Sequence, residues 1–357
     1  MKVLHILSDI GISNGVLSVI TNYLRHMPKD IQFDVAYFME TSDNRREELE
    51  TLGANVFLIQ APNMKSFFQK AETVFSPVCM REYQILHLHL PYLASVYANK
   101  ARKLGVKKVV VHCHSTWYSL NKHNNLRNRI LNTPTKLLSD IQIACGEDAG
   151  MFWYKRGYIN LPNAISTEQF CYNEAARKRL RRELHVENRF VIGHVGRVFP
   201  PQKNHPFILK IFSKILQICP DAELLLVGAD PDNELISIVN ELGIQNSVHF
   251  LGKRKDVHDI LSAMDVFFFP SLYEGLPVAL IEAQAAGLKC VASTAISEEA
   301  KVLPTTEFIP LDADETIWVN IILEGKKAYC RKVNEWFANS KWNLQSASRI
   351  LEEIYRM

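Results

Sequence analysis

Two acidic and two basic side chains raise the first chemical question. In Ser271-Leu-Tyr-Glu-Gly-Leu-Pro-Val-Ala-Leu-Ile-Glu-Ala-Gln-Ala-Ala-Gly287, Glu274 and Glu282 stand eight residues apart. An apolar run ends at Pro270, and Leu276-Pro277 is where a helix would begin, since proline suits a first helical turn. The free N–H groups and partial positive charge of such a start form a seat for phosphate. Glu282 then lies about two turns on, along the face that Glu274 opens. Carboxylates accept hydrogen bonds strongly, so the pair can take two hydroxyl-bearing parts of one ligand. A capping glutamate and an unrelated helical one remain the plain alternative.

The basic pair lies in Gly193-His-Val-Gly-Arg-Val-Phe-Pro-Pro-Gln-Lys-Asn-His205, where Arg197 and Lys203 flank a proline-stiffened loop between a strand and a helix. A guanidinium and an ammonium converging there fit a diphosphate. Asp9-Ile-Gly-Ile-Ser-Asn-Gly15, the first strand-to-helix turn, has glycines at 11 and 15 that allow close backbone approach. It is not the G-x-G-x-x-G fingerprint, which argues against a nicotinamide enzyme. Two H-x-H pairs, His87/His89 and His112/His114, put their members on one strand face each. No carboxylate lies between Glu82 and Asp140 to complete a metal site, so packed, hydrogen-bonded histidines are expected. His114 differs, because it ends its strand beside the polar Ser115-Thr-Trp. Asp230-Pro-Asp232 and Asp312-Ala-Asp314 each precede a helical pattern and read as helix caps rather than metal ligands. Arg177-Lys-Arg-Leu-Arg-Arg182 reads as a solvated helix face.

The elements that must position these residues alternate from the N-terminus. Strand patterns fall at Val3–Ser8, Phe33–Met39, Asn55–Ile59, Ile85–Leu90, Val109–His114, Ile141–Ala144 and Tyr158–Leu161, with amphipathic stretches between them. A second series follows at Phe190–Val195, Glu223–Val227, Val248–Leu251, Val266–Phe269, Lys289–Ala292 and Phe308–Ile309. Nearly continuous apolar runs mark strands covered on both faces. The expected fold class is α/β, with two Rossmann-like doubly wound parallel sheets facing across a crevice. The expected domains are 1–165, joined by a C-terminal helix of about 340–357, and 166–339.

The 357 residues suit two such domains, and 47% hydrophobic with 22% charged residues excludes disordered and fibrous classes. No apolar run is long enough to span a bilayer, and the opening Lys2–Ser8 strand does not read as a signal peptide, so a cytoplasmic location is expected. Seven scattered cysteines without a C-x-x-C pair suggest neither disulfides nor zinc. Residues 1–165 carry 19 Lys/Arg against 13 Asp/Glu, while the remainder is net acidic. The acid-free stretch fits either an anionic lipid or phosphate partner or a solvated basic face.

In order along the chain come the turn at Gly15, His114, Cys145-Gly-Glu-Asp-Ala-Gly150 and Leu161-Pro-Asn-Ala-Ile-Ser166. Gly193-His-Val-Gly-Arg197, Pro201-Gln-Lys-Asn-His205, Phe250-Leu-Gly-Lys253 and Glu274-x7-Glu282 complete the set. This series resembles the family-4 retaining glycosyltransferases of the GT-B fold, in the branch that builds bacterial capsules and exopolysaccharides. The resemblance implies transfer of a sugar from a nucleotide-diphosphate donor, with uridine the expected base. The acceptor would be a glycan or a polyprenyl-diphosphate-linked saccharide, and neither metal nor resident cofactor would be used. It implies that Arg197 and Lys203 hold the diphosphate, Glu274 the donor-sugar hydroxyls and Glu282 the ribose. Lys253 and Arg254 would flank the base, the backbone at Gly15, Gly275 and Leu276 would face phosphate and sugar, and His114 would meet the donor sugar. Relatives commonly carry a Gly-Gly pair where this chain has Asn14-Gly15. A GT-B epimerase or phosphorylase, and a non-catalytic nucleotide-sugar-binding scaffold, are the alternatives. A nucleic-acid partner is not expected, and contact of the basic first domain with the inner membrane face is.

Overall fold

The computed structural model describes residues 1–357 apart from 13, 117, 119–121, 199–200, 229, 275–276, 328–330, 332 and 339, and the side chains of 122–125 and 334. The chain forms two compact units, residues 1–164 with 344–357, and residues 165–343. Each unit is built on one parallel sheet.

The first sheet joins β1 (Lys2–Leu7), β2 (Gln32–Tyr37), β3 (Val56–Leu58), β4 (Ile85–Leu88), β5 (Lys108–Cys113), β6 (Ile141–Ala144) and β7 (Ile159–Asn160). Their order is β3-β2-β1-β4-β5-β6-β7. The second joins β8 (Phe190–Val195), β9 (Ala222–Val227), β10 (Val248–Phe250), β11 (Val266–Phe269), β12 (Lys289–Ser293) and β13 (Thr306–Ile309), ordered β10-β9-β8-β11-β12-β13. β-Branched and aromatic runs such as Val109-Val110-Val111 and Phe267-Phe268-Phe269 are buried throughout, as strands covered on both faces by helices require. The helix His205–Ile218 presents Ile208, Phe212 and Ile215 to the second sheet, where Trp318 fills the core beside them.

In both sheets the strand order reverses once, between β1 and β4 and between β8 and β11. Loops leaving the carboxyl ends of strands on either side of that reversal diverge and open a crevice, the usual ligand position in such sheets.

The last helix, Leu344–Arg356, belongs to the first unit. Lys108 donates to the carbonyls of Ile354 and Tyr355, and Arg356 pairs with Asp30 at 2.8 Å. The basic cluster matches the sequence reading at Lys178, Arg179 and Arg182, which are exposed, and departs from it at Arg177 and Arg181, which turn inward. Arg181 is buried and donates to Asp265 at 2.5 Å, and Arg177 pairs with the same carboxylate at 2.6 Å. Asp265 also accepts from Val191 N–H, so Arg177 and Arg181 clamp a strand end. The second aspartates of the two D-x-D triplets are caps, Asp232 accepting from Leu235 N–H and Asp314 from Thr316 N–H.

Candidate active site

At the reversal of the second sheet, the loops after β8 and β11 are joined by side chains. Lys203 Nζ lies 2.7 Å from Glu274 Oε1, and Gln202 Nε2 donates to the other oxygen, Oε2, at 2.8 Å. Gln202 also donates to the Tyr273 carbonyl, while its own carbonyl accepts from Leu272 N–H. Asn204, in the left-handed backbone region at φ 59°, donates to the Pro270 carbonyl. The two loops therefore form one cross-linked unit, with Lys203 lying 4.4 Å from the centre of the Phe269 ring.

Gly196 is needed where it stands. A Cβ there would come within 2.7 Å of both Lys203 Cγ and the buried His194 Nε2. Gly228, at φ 81°, closes the next loop by donating to the Gly252 carbonyl and approaches the Gly196 carbonyl. The strand ends of β8, β9 and β10 are thus packed backbone to backbone. Arg197 follows Gly196 and is exposed. Lys253 and Arg254 follow Gly252, with Lys253 exposed and Arg254 held on Asp256 by two bonds of 2.7 Å.

The helix after Glu274 runs Val278–Ala285 with Pro277 at its cap, one position later than the proline-first reading. Glu282 lies on it, and burial pushes its carboxyl up to about 7 while the Lys203 charge opposes the rise. Partly buried near the Lys203 charge, Glu282 can accept hydrogen bonds from an incoming hydroxyl once it is ionised. Gly275 and Leu276 lie outside the described residues.

The first unit holds the other two predicted residues. Gly15 opens the helix Gly15–His26 and is exposed, with Asn14 capping Leu17 N–H at 3.1 Å. A Cβ on Gly15 would touch nothing, so the packing of this unit does not itself call for glycine. His114 stands just past β5, its Nδ1 3.0 Å from Asn163 Oδ1 and its Nε2 2.9 Å from His89 Nδ1. Burial lowers its ring to about 4, so it is neutral at pH 7. Both ring nitrogens are engaged inside the unit, which leaves the ring edge and the backbone to meet a ligand.

The structure thus joins Lys203 to Glu274, puts the Lys203 charge in reach of Glu282, and sets Arg197, Lys253 and Arg254 on neighbouring loops. The residues that sequence reasoning missed are the supports, Gln202, Asn204 and Asn163. Gln202 and Asn204 flank Lys203, and Asn163 sits in the punctuated Leu161-Pro-Asn segment, but their roles come from contacts across long sequence separations.

Residues 189–314 match the family described as Glycosyl transferases group 1. They contain Lys203, Glu274 and Glu282 with the loops around them. This segment is a group 1 glycosyltransferase domain. The full chain is 29% identical to the putative glycosyltransferase EpsF of Bacillus subtilis (strain 168), across 100% of this chain and 96% of that protein. It is 26% identical to the UDP-Gal:alpha-D-GlcNAc-diphosphoundecaprenol alpha-1,3-galactosyltransferase of Escherichia coli, across 82% and 79% of the two chains. Among solved structures it is similar to Anabaena Alr3699/HepE in complex with UDP-glucose, with TM-score 0.76 and 19% identity over all of both chains. That likeness shows the GT-B fold, and the chain is a glycosyltransferase built on it. The group 1 domain contributes Arg197, Lys203, Lys253, Arg254, Glu274 and Glu282, while Gly15 and His114 belong to the other unit.

Proposed function

We propose that the chain transfers a hexosyl residue from a UDP-sugar to a polyprenyl-diphosphate-linked saccharide during assembly of a capsular or exopolysaccharide, with retention and without a metal. The observation that carries the donor half is the Lys203–Glu274–Gln202 knot at the strand reversal of the group 1 domain. With no donor bound, Glu274 neutralises Lys203. An arriving diphosphate takes Lys203 and Arg197, and Glu274, still braced by Gln202, turns its oxygens to the sugar hydroxyls. As the glycosidic bond breaks, negative charge grows on the departing diphosphate, where Lys203 and Arg197 stabilise it most. Glu282 takes the ribose hydroxyls and Lys253 and Arg254 flank the base, and the family resemblance assigns phosphate and sugar contacts to Gly15, Gly275 and Leu276. His114 borders the donor sugar.

The Escherichia coli relative acts, by its name, on a diphosphoundecaprenol-linked sugar, and this supports a lipid-linked acceptor. The helix Lys122–Asn132 and the short helix Thr135–Leu138 after it add a second support, because Leu126, Ile130 and Leu137 are 64%, 62% and 88% exposed beside Arg127, Arg129 and Lys136. Exposed aliphatic side chains interleaved with cations suit an anionic membrane surface. No helix among the described residues is long and apolar enough to cross a membrane.

The test is release of UDP from a panel of UDP-sugars, with and without polyprenyl-diphosphate saccharides, in EDTA. Acceptor-dependent release with one sugar, abolished in Lys203→Ala, is expected. An altered sugar formed with no acceptor present would overturn the reading in favour of an epimerase. Flotation with vesicles containing anionic lipid, lost in Leu126→Ser/Ile130→Ser, tests the membrane contact, and equal flotation with neutral vesicles would contradict it.

A further inference from the structure

Five histidines crowd the reversal point of the first sheet. His5 on β1 is the register partner of His87 on β4, His89 follows β4, and His112 and His114 lie in and just past β5. Successive rings lie 4.0 to 5.7 Å apart, and all but His114 are buried. Stacked rings alone would be ordinary packing. Their hydrogen bonds are not ordinary, because they have a direction.

Asn163 presents its carbonyl oxygen to His114 Nδ1 at 3.0 Å, and a carbonyl oxygen only accepts. His114 therefore carries its proton on Nδ1. In a neutral ring the other nitrogen, Nε2, is then an acceptor, so His89 Nδ1 must be the donor across the 2.9 Å between them. The same step repeats, with His89 Nε2 accepting from His5 Nδ1 at 2.9 Å. The series should end on a bare His5 Nε2, and that atom is buried without a partner. With the Asn163 oxygen as acceptor one assignment satisfies every bond in the series, and the reverse direction would strand a buried N–H on His5 Nε2.

We infer that His89 and His5 are positioning residues for His114: the series His5→His89→His114→Asn163 holds His114 as the neutral Nδ1–H tautomer, with its ring edge and backbone presented at the end of β5. The value of this arrangement rests on the reading of His114 as a donor-sugar residue. A charged or rotated His114 would bring a cation, or a misdirected N–H, to the place where the sugar carbon becomes electron-poor. A buried series in which each ring needs its neighbour's proton in one place resists both changes. The 2.9 Å separations match hydrogen bonds, and a metal ion entering at His89 would have to break two of them.

The experiment is nitrogen-15 NMR of histidine-labelled protein at pH 7, comparing wild type with His89→Leu and His89→Asn. Asparagine keeps a donor near the Nδ1 position and leucine does not. Wild type is expected to show His114 as the neutral Nδ1–H tautomer. His89→Leu should move the His114 Nε2 resonance, whose donor is gone while Asn163 still holds the Nδ1 proton, and lower kcat for UDP release from UDP-glucose by roughly tenfold, as small misplacements at a reacting centre do. His89→Asn should restore both. An Nε2–H or charged His114 in wild type overturns the inference without any variant. So does a His89→Leu spectrum unchanged at His114. One equivalent of Zn²⁺ bound with all five ring signals displaced would overturn it in favour of a metal site. His114→Ala turning over UDP-glucose at the wild-type rate, with the tautomer pattern as expected, would remove the donor-sugar reading and leave the positioning series standing.

Discussion

Glu282 shows what a single residue contributes to the account. Its carboxyl is raised from the usual range to about 7 by burial, against the opposing charge of Lys203. In the unfolded chain it ionises near 4.5, so between those values the folded state binds more protons than the unfolded one. Its contribution is therefore most favourable below about pH 4.5 and is lost as pH rises toward 7. Glu282→Gln, which keeps the shape and removes the charge, should raise the melting temperature of the empty protein at pH 8. Near pH 4.5 it should change little. The same variant should bind UDP more weakly at pH 8, because the ribose loses a charged acceptor. Melting curves at the two pH values check the first half and titration with UDP the second. Equal melting shifts at both pH values would mean that Glu282 does not titrate where its surroundings place it.

At the scale of elements, the C-terminal helix Leu344–Arg356 carries Tyr355, whose hydroxyl meets His87 Nδ1 at 2.6 Å inside the histidine stack. Phe33 adds an edge contact to the same tyrosine. Tyr355→Phe leaves a buried ring nitrogen without its partner and should cost about 1–3 kcal/mol of first-unit stability, read by urea denaturation. A loss below the error of that measurement would show that the Tyr355–His87 bond contributes nothing to holding the helix. Each strand pattern read from the sequence corresponds to a strand within one or two residues, because buried parallel strands are written as local apolar runs. Glu274 and Lys203 were legible for the same reason, since each follows a strand end within a short loop. What joins them was not. Gln202 bracing Glu274 spans 72 residues, His114 depends on Asn163 49 residues away, and the Arg177–Arg181 face is buried only because Asp265 lies more than 80 residues on. Side-chain pairing across a sheet leaves no local period to read.

Across the whole molecule, buried neutral histidines make both units sensitive to acid, five of them in the first unit and His194 and His205 in the second. Burial holds His5 near 3 and His114 near 4, and keeps His87, His89 and His112 well below the usual imidazole value. Unfolded, all five take up protons below about 6.5, so stability of the first unit is full above that pH and falls as pH drops toward 4. The first-unit transition should therefore fall further than the second between pH 7.5 and pH 5, and His112→Leu should reduce its acid sensitivity by about one proton per unfolding event. Calorimetry at pH 5 and pH 7.5 separates the two transitions, and a first-unit transition unmoved between them would contradict the buried neutral stack.

The measurement that bears most directly on the central claim, that the strand reversal of the group 1 domain is the donor-diphosphate site, is thermal stabilisation by UDP compared in wild type and Lys203→Ala. At about a hundred times its dissociation constant, UDP should stabilise the wild-type protein by roughly 2.7 kcal/mol, with GDP and ADP giving less and EDTA changing nothing. Lys203→Ala should lose most of that gain at the same UDP concentration while keeping its fold. Undiminished stabilisation of Lys203→Ala by UDP would place the diphosphate elsewhere and contradict the account.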